Sequence, residues 1–125
     1  MSEIPKISDA EWEVMKVFWA QPAPCTANYV VNSLSKHTDW KPNTIKTLIA
    51  RLVRKNALGY QEDGRNYLYY PLITEAECVQ AESKSFLQRV YAGALKPMLV
   101  HFLQDEQLSR EEIEELKRIL EERRK

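Results

Sequence analysis

From Ser8 onward the apolar positions recur at helical spacing. Ala10, Val14, Val17 and Phe18 fall on one face, and Trp12 and Trp19 make a second stripe one heptad apart. Ser8 followed by Glu11 is a capping box, which places the helix start there, and Pro22 and Pro24 end the helix. Thr26 is the expected cap of a second short helix from Ala27 to about Lys36, with Val30, Val31 and Leu34 inward. After a turn at residues 37–41, Pro42 stands at the first position of a third helix. On that helix Ile45, Leu48, Ile49, Leu52 and Val53 cover one arc, and Asn43, Thr44, Lys46, Thr47, Ala50, Arg51 and Arg54 cover the opposite one.

The period then switches from helical to alternating. Residues 58–61 and 67–70 read as two strands joined through Glu62-Asp63-Gly64-Arg65-Asn66, in which Asp-Gly is a strong hairpin signal because both positions tolerate φ > 0. Pro71 is expected to stop the second strand. Helical spacing returns at Thr74, which forms a second capping box with Glu77. The segment it opens extends to about Ala94. A further helix starts near Lys96-Pro97 and runs to about Gln104, and Ser109 with Glu112 caps the last, whose apolar side is Ile113, Leu116, Ile119 and Leu120. Arg110/Glu114 and Glu114/Arg118 stand at i,i+4 on its solvent side.

Composition adds one thing the pattern does not contain. The chain of 125 residues has 18 Lys+Arg against 18 Asp+Glu, so it is formally neutral, yet its charge is unevenly distributed. Residues 36–71 carry seven bases against three acids, while residues 1–35 and 104–125 each sum to −2 and residues 72–103 to zero. Within 41–56, KPNTIKTLIARLVRKN, five cations stand without one acid. A solvated helix ordinarily mixes both signs, as residues 109–125 do, so an uncompensated cationic face points to a polyanion.

Three short helices followed by a two-stranded hairpin, the third helix being cationic, is the plan of a winged helix-turn-helix. The fold class expected is therefore mainly α with a small β-hairpin wing: a winged-helix DNA-binding domain over residues 1–72 and a three-helix dimerisation region over 73–125. A helix fits the major groove of duplex DNA, where Asn43, Thr44 and Thr47 can reach base edges, while Lys46, Arg51 and Arg54 bind phosphates. Arg65 and Asn66 at the hairpin tip can follow the backbone or enter the minor groove. About 50 residues in three helices make a thin core, of a size that calls for oligomerisation. Phe86, Leu87, Val90, Tyr91, Leu95, Met98, Leu99, Phe102, Leu103, Ile113, Leu116 and Leu120 are its candidate dimer surface.

Other chemistry is thinly represented. Cys25, Cys78, His37 and His101 read as ordinary buried or surface residues, with no disulfide framework, metal site or cofactor implied. No nucleophile–base grouping or glycine-rich phosphate loop is present, so the chain is not read as an enzyme. No apolar run approaches the roughly 20 residues that span a bilayer, and no basic-then-apolar leader follows Met1, so a cytoplasmic protein without membrane insertion is expected. On these residues alone the rival is a winged-helix module that holds protein or RNA.

The stretches ISDAEWEVMKVFW, DWKPNTIKTLIARLVRKNALG, GRNYLYYPL, SFLQRVYAGALKPMLVHFL and LSREEIEELKRILEE, collinear over nearly the whole chain, resemble the BlaI/MecI family of bacterial transcriptional repressors. The resemblance implies a homodimer on a pseudo-palindromic double-stranded operator that controls β-lactamase or related resistance genes. It implies a reading helix that carries Lys41, Asn43, Thr44, Lys46, Thr47 and Arg51. Family members often have a capping Ser where Lys41 stands, which exchanges a cap for a cation. It further implies an inducing protease, downstream of a membrane sensor, that cuts an Asn-Phe bond; the matching dipeptide here is His101-Phe102. Copper-responsive relatives carry C-terminal cysteines, and residues 121–125 have none, so a metal sensor is not expected. A repressor of this family that answers a different signal is the alternative within the resemblance.

Overall fold

The capping box at Ser8 forms as its spacing requires: Ser8 Oγ accepts the Glu11 N–H at 3.2 Å and Glu11 Oε1 accepts the Ser8 N–H at 2.9 Å. It opens α1 (Asp9–Trp19), which is followed by α2 (Ala27–Leu34) and α3 (Pro42–Arg54). The hairpin is β1 (Leu58–Asp63) and β2 (Asn66–Pro71), and α4 (Glu75–Tyr91), α5 (Leu95–Asp105) and α6 (Arg110–Glu122) complete the chain. This computed structural model describes residues 4–124, so the expectation about a leader at Met1 lies outside the described residues. The chain divides into two compact units, the first running to Ser83 and the second starting at Lys84.

In the first unit the apolar arcs of the three helices meet. Val14, Met15, Phe18, Val30, Ile45, Ile49 and Leu52 are buried together with Leu58 of β1 and Cys78 of α4. Trp12 and Trp19 meet edge to face at 5.8 Å, and Trp19 Nε1 donates to the Ile73 carbonyl at 3.0 Å. The second helix is shorter than expected: Ser35 is its C-cap, and Thr38 Oγ1 donates to the Leu34 carbonyl at 3.0 Å and closes its end.

The strands are longer than the alternation suggested and run in register from Leu58↔Pro71 to Asp63↔Asn66, leaving Gly64-Arg65 as a two-residue loop. Of the two loop residues only Gly64 has φ > 0 (+66°), as in a type II′ turn, which needs glycine at its first central position. Pro71 belongs to β2 instead of stopping it. Tyr69 exchanges both backbone hydrogen bonds with Cys25, at 2.9 and 2.7 Å, on the side away from β1. Pro71, two residues on, faces the same side, so its missing N–H removes no bond to β1.

The second unit differs in character. None of the residues of α5 or α6 is buried. The long helix ends at Tyr91, earlier than the expected Ala94, because Ala92 (φ +52°) and Gly93 (φ +86°) both enter the left-handed region, which stops a helix. Its N-terminal capping box between Thr74 and Glu77 forms as expected, as does that of Ser109 and Glu112 on α6. On α6, Glu114 pairs with Lys117 at 3.7 Å, an i,i+3 neighbour, in place of the expected Arg110 and Arg118.

Candidate nucleic-acid interface

Helix α3 divides as its period requires. Ile45, Leu48, Ile49 and Leu52 are buried and Val53 is half-buried, while Lys41, Asn43, Thr44, Lys46, Thr47, Ala50, Arg51 and Arg54 are all exposed on the other arc. Pro42 occupies the first turn, and Lys41 is the N-cap without a side-chain hydrogen bond, because a lysine has no oxygen with which to accept from the helix start. Thr47 Oγ1 donates to the Asn43 carbonyl at 2.9 Å. Its hydroxyl proton is thus committed to the backbone, and what it presents outward is an acceptor oxygen and a methyl group.

Packing joins this face to the wing. A cleft of about 190 Å³ is lined by Lys46 of α3, by Arg65, Asn66, Tyr67 and Tyr69 of the hairpin, and by Thr26, Ala27 and Asn28 at the start of α2. Lys46, Arg65 and Asn66, which the sequence placed on separate elements, therefore line one cleft. Thr26 and Asn28 were not among the sequence candidates, although the N-cap signal at Thr26 already located them at a helix start, where free N–H groups favour an anion. Tyr67 and Tyr69 were missed because alternation reads them only as strand residues. Tyr60, Tyr67 and Tyr69 cluster on one face of the hairpin, with Tyr60 and Tyr67 edge to face at 5.3 Å. Burial, with smaller repulsion from the other two phenols, pushes the Tyr69 pKa up, so its hydroxyl stays a neutral donor.

One cation on the segment 41–56 does not belong to the open face. Lys55 Nζ donates to Glu11 Oε1 at 2.5 Å and to the Lys6 carbonyl at 2.9 Å. The segment therefore presents four cations outward, not five. Nothing local announces this pair, whose members are 44 residues apart.

The thiols of Cys25 and Cys78 are free and buried, and burial pushes both pKa values up, which keeps them protonated and inert. Among the described residues no group of three or more His, Cys, Asp or Glu side chains is arranged to hold a metal ion, and no helix is long and apolar enough to cross a membrane.

A family model described as penicillinase repressor matches residues 7–122. The chain belongs to the penicillinase repressor family. The penicillinase repressor of Bacillus licheniformis is 48% identical over 122 residues, covering 98% of this chain and 94% of that one. The methicillin resistance regulatory protein MecI of Staphylococcus aureus is 38% identical over 115 residues, covering 92% and 93%. The solution structure of monomeric Bacillus licheniformis BlaI in complex with the blaP half-operator matches with a TM-score of 0.53 and 45% identity, over 62% of this chain and 93% of that one. The family is one of transcriptional repressors, not of enzymes, and the winged-helix plan expected from the helix–hairpin order is the fold of this member.

The remaining candidates lie in the second unit. Phe86, Leu87 and Tyr91 of α4 and Met98 of α5 are half-buried, whereas Val90, Leu95, Leu99, Phe102, Leu103, Ile113, Leu116, Ile119 and Leu120 are exposed, up to 58% at Leu120. Phe102 stacks on Phe86 with ring centroids 6.1 Å apart. His101 is less bland than its sequence surroundings suggested. Its Nδ1 is 2.9 Å from the Tyr91 hydroxyl, and its Nε2 is 3.5 Å from Asp105, one helical turn on.

Proposed function

We propose that this chain is a cytoplasmic transcriptional repressor that binds a pseudo-palindromic operator as a homodimer and controls β-lactamase or related resistance genes. The observation that carries the reading is the acid-free outer face of α3, continuous through Lys46 with the cleft under the wing. A helix seated in the major groove would bring Asn43, Thr44 and Thr47 to base edges, with Thr47 able to accept from an exocyclic amine or cover a thymine methyl. Lys41, Lys46, Arg51, Arg54 and Arg65 would neutralise phosphates along the two rims, and Asn66 would follow the backbone beside the wing. The BlaI half-operator complex supports this assignment, since its protein is 45% identical to this chain over 62% of its length.

Residues 1–72 then form the reading domain and 73–125 the dimerisation region. The exposed apolar row on α5 and α6 supports dimerisation, because each such side chain, still about half exposed, would gain about 1 kcal/mol when covered. Two reading helices spaced by one duplex turn, about 34 Å, match a palindrome. A protease acting downstream of a membrane sensor would release the repressor by cutting His101-Phe102. Both residues lie within α5 and are held by Tyr91, Asp105 and Phe86, so local opening of this helix must precede the cut. The cut would separate α6 from the reading domain and turn a bivalent binder into two weak ones.

The deciding experiment is fluorescence anisotropy with a duplex carrying an inverted repeat, taken from the DNA beside the gene, and a scrambled duplex of equal length. Preference for the repeat by about 10³-fold at physiological salt is expected. Equal affinity for the two duplexes, or tighter binding of RNA, would overturn the reading.

A further inference from the structure

Glu11 is the one charged residue buried among the described residues, at 1% exposure. A carboxylate in a core is costly unless it is fully partnered. This one accepts the Ser8 N–H and the ammonium of Lys55, and those bonds with the Lys55 charge hold its carboxyl below the ordinary range although burial alone would raise it.

Lys55 is the C-cap of α3, and its position is fixed twice. Locally, Asn56 adopts φ +63°, the Asn56 N–H reaches the Val53 carbonyl at 3.0 Å, and the Ala57 N–H reaches the Leu52 carbonyl at 2.9 Å, the two bonds of a Schellman ending. At a distance in sequence, its ammonium ties that ending to Glu11 of α1 and to the Lys6 carbonyl. The opposite end of α3 has no side-chain cap. Apolar packing of Ile45, Ile49 and Leu52 holds the helix against the core but is non-directional. The charged hydrogen bonds are directional. Asn43 lies twelve residues before Lys55, about 18 Å along the axis, so a 10° tilt about the clamped end would move it by about 3 Å, a full hydrogen-bond length.

We infer that Glu11 and Lys55 are positioning residues for sequence recognition: their ion pair sets the tilt at which α3 presents Asn43, Thr44 and Thr47. The inference rests on the reading of α3 as the DNA-reading helix. Neither residue touches DNA in this scheme, and Lys55, already neutralised by Glu11, adds nothing to phosphate binding.

The test uses the full-length chain and the duplex that the wild type enriches from a random library, compared with unselected duplex. Glu11→Gln is expected to cut the affinity ratio between them at least tenfold. Affinity for unselected duplex should stay within about threefold, and the slope of log K against log salt should not change. Lys55→Met should behave alike, and its slope should match that of the wild type, while Lys55→Arg, which keeps the ion pair, should retain most of the ratio. If Glu11→Gln unfolds, Lys55→Met carries the comparison, because Glu11 can then neutralise itself by taking a proton. An undiminished ratio in folded Lys55→Met, or a slope reduced by about 1 or more there, would overturn the inference and leave the DNA reading standing. Failure of the wild type to enrich any duplex would overturn both.

Discussion

Replacing Lys46 by alanine should lower the salt dependence of DNA binding by a countable step. Lys46 is exposed on the outer arc of α3 and lines the same cleft as Arg65 and Asn66, so a phosphate seated there would meet its ammonium directly. Each phosphate neutralised contributes about −0.9 to the slope of log K against log salt on B-form duplex. A homodimer loses two such contacts, so the slope should become shallower by about 1.8. Over a fourfold rise in salt, from about 50 to about 200 mM, that makes the variant's loss of affinity about 12-fold smaller than that of the wild type. The assay is anisotropy titration at four or five salt concentrations with operator and random duplex in parallel. Because a phosphate contact carries no sequence information, the shift should be equal for both duplexes. Lys16→Ala is the control: its cation sits on α1, 3.2 Å from Glu13, and its slope should match the wild type. A wild-type slope in Lys46→Ala, or an equal shift in Lys16→Ala, would refute the assignment of the cleft to phosphate.

Three further outcomes follow from the same structure. Because the folded pKa of Glu11 lies below its unfolded value, the pair stabilises fully above the unfolded pKa, and this contribution disappears as pH falls through the folded one. Glu11→Gln should therefore cost about 2 kcal/mol near pH 7, less than a fully buried pair because Lys55 is 36% exposed, and the difference from wild type should vanish in denaturant melts at acid pH. A chain ending at Ser83 keeps Cys78 in the core, and so should sediment as a folded monomer in ultracentrifugation and bind operator far more weakly; a stable dimer of that fragment would place the interface in the first unit. Gly64→Ala meets no neighbour within 4 Å but must keep φ +66°, so it should cost about 1 kcal/mol in thermal unfolding without changing the core.

The parts of this protein that were legible in its sequence are those encoded within a few residues. The 3.6-residue period of 41–54 sorts α3 into a buried and an exposed arc, Ser8/Glu11 and Ser109/Glu112 mark helix starts, and the Asp-Gly signal marks the hairpin, because each depends on neighbours along the chain. Even there, turn chemistry was resolved only in part: the loop is Gly64-Arg65, and Ala92 and Gly93 cut α4 short where periodicity alone carried it on. Only the tertiary structure could decide which distant groups meet. It turned Lys55 from a free cation into the partner of Glu11, brought Lys46, Arg65 and the start of α2 into one cleft, and set the strand register that turns the missing N–H of Pro71 away from β1. Pairing of this kind is selected by packing across separations of tens of residues, where desolvation and geometry, not spacing along the chain, choose the partner.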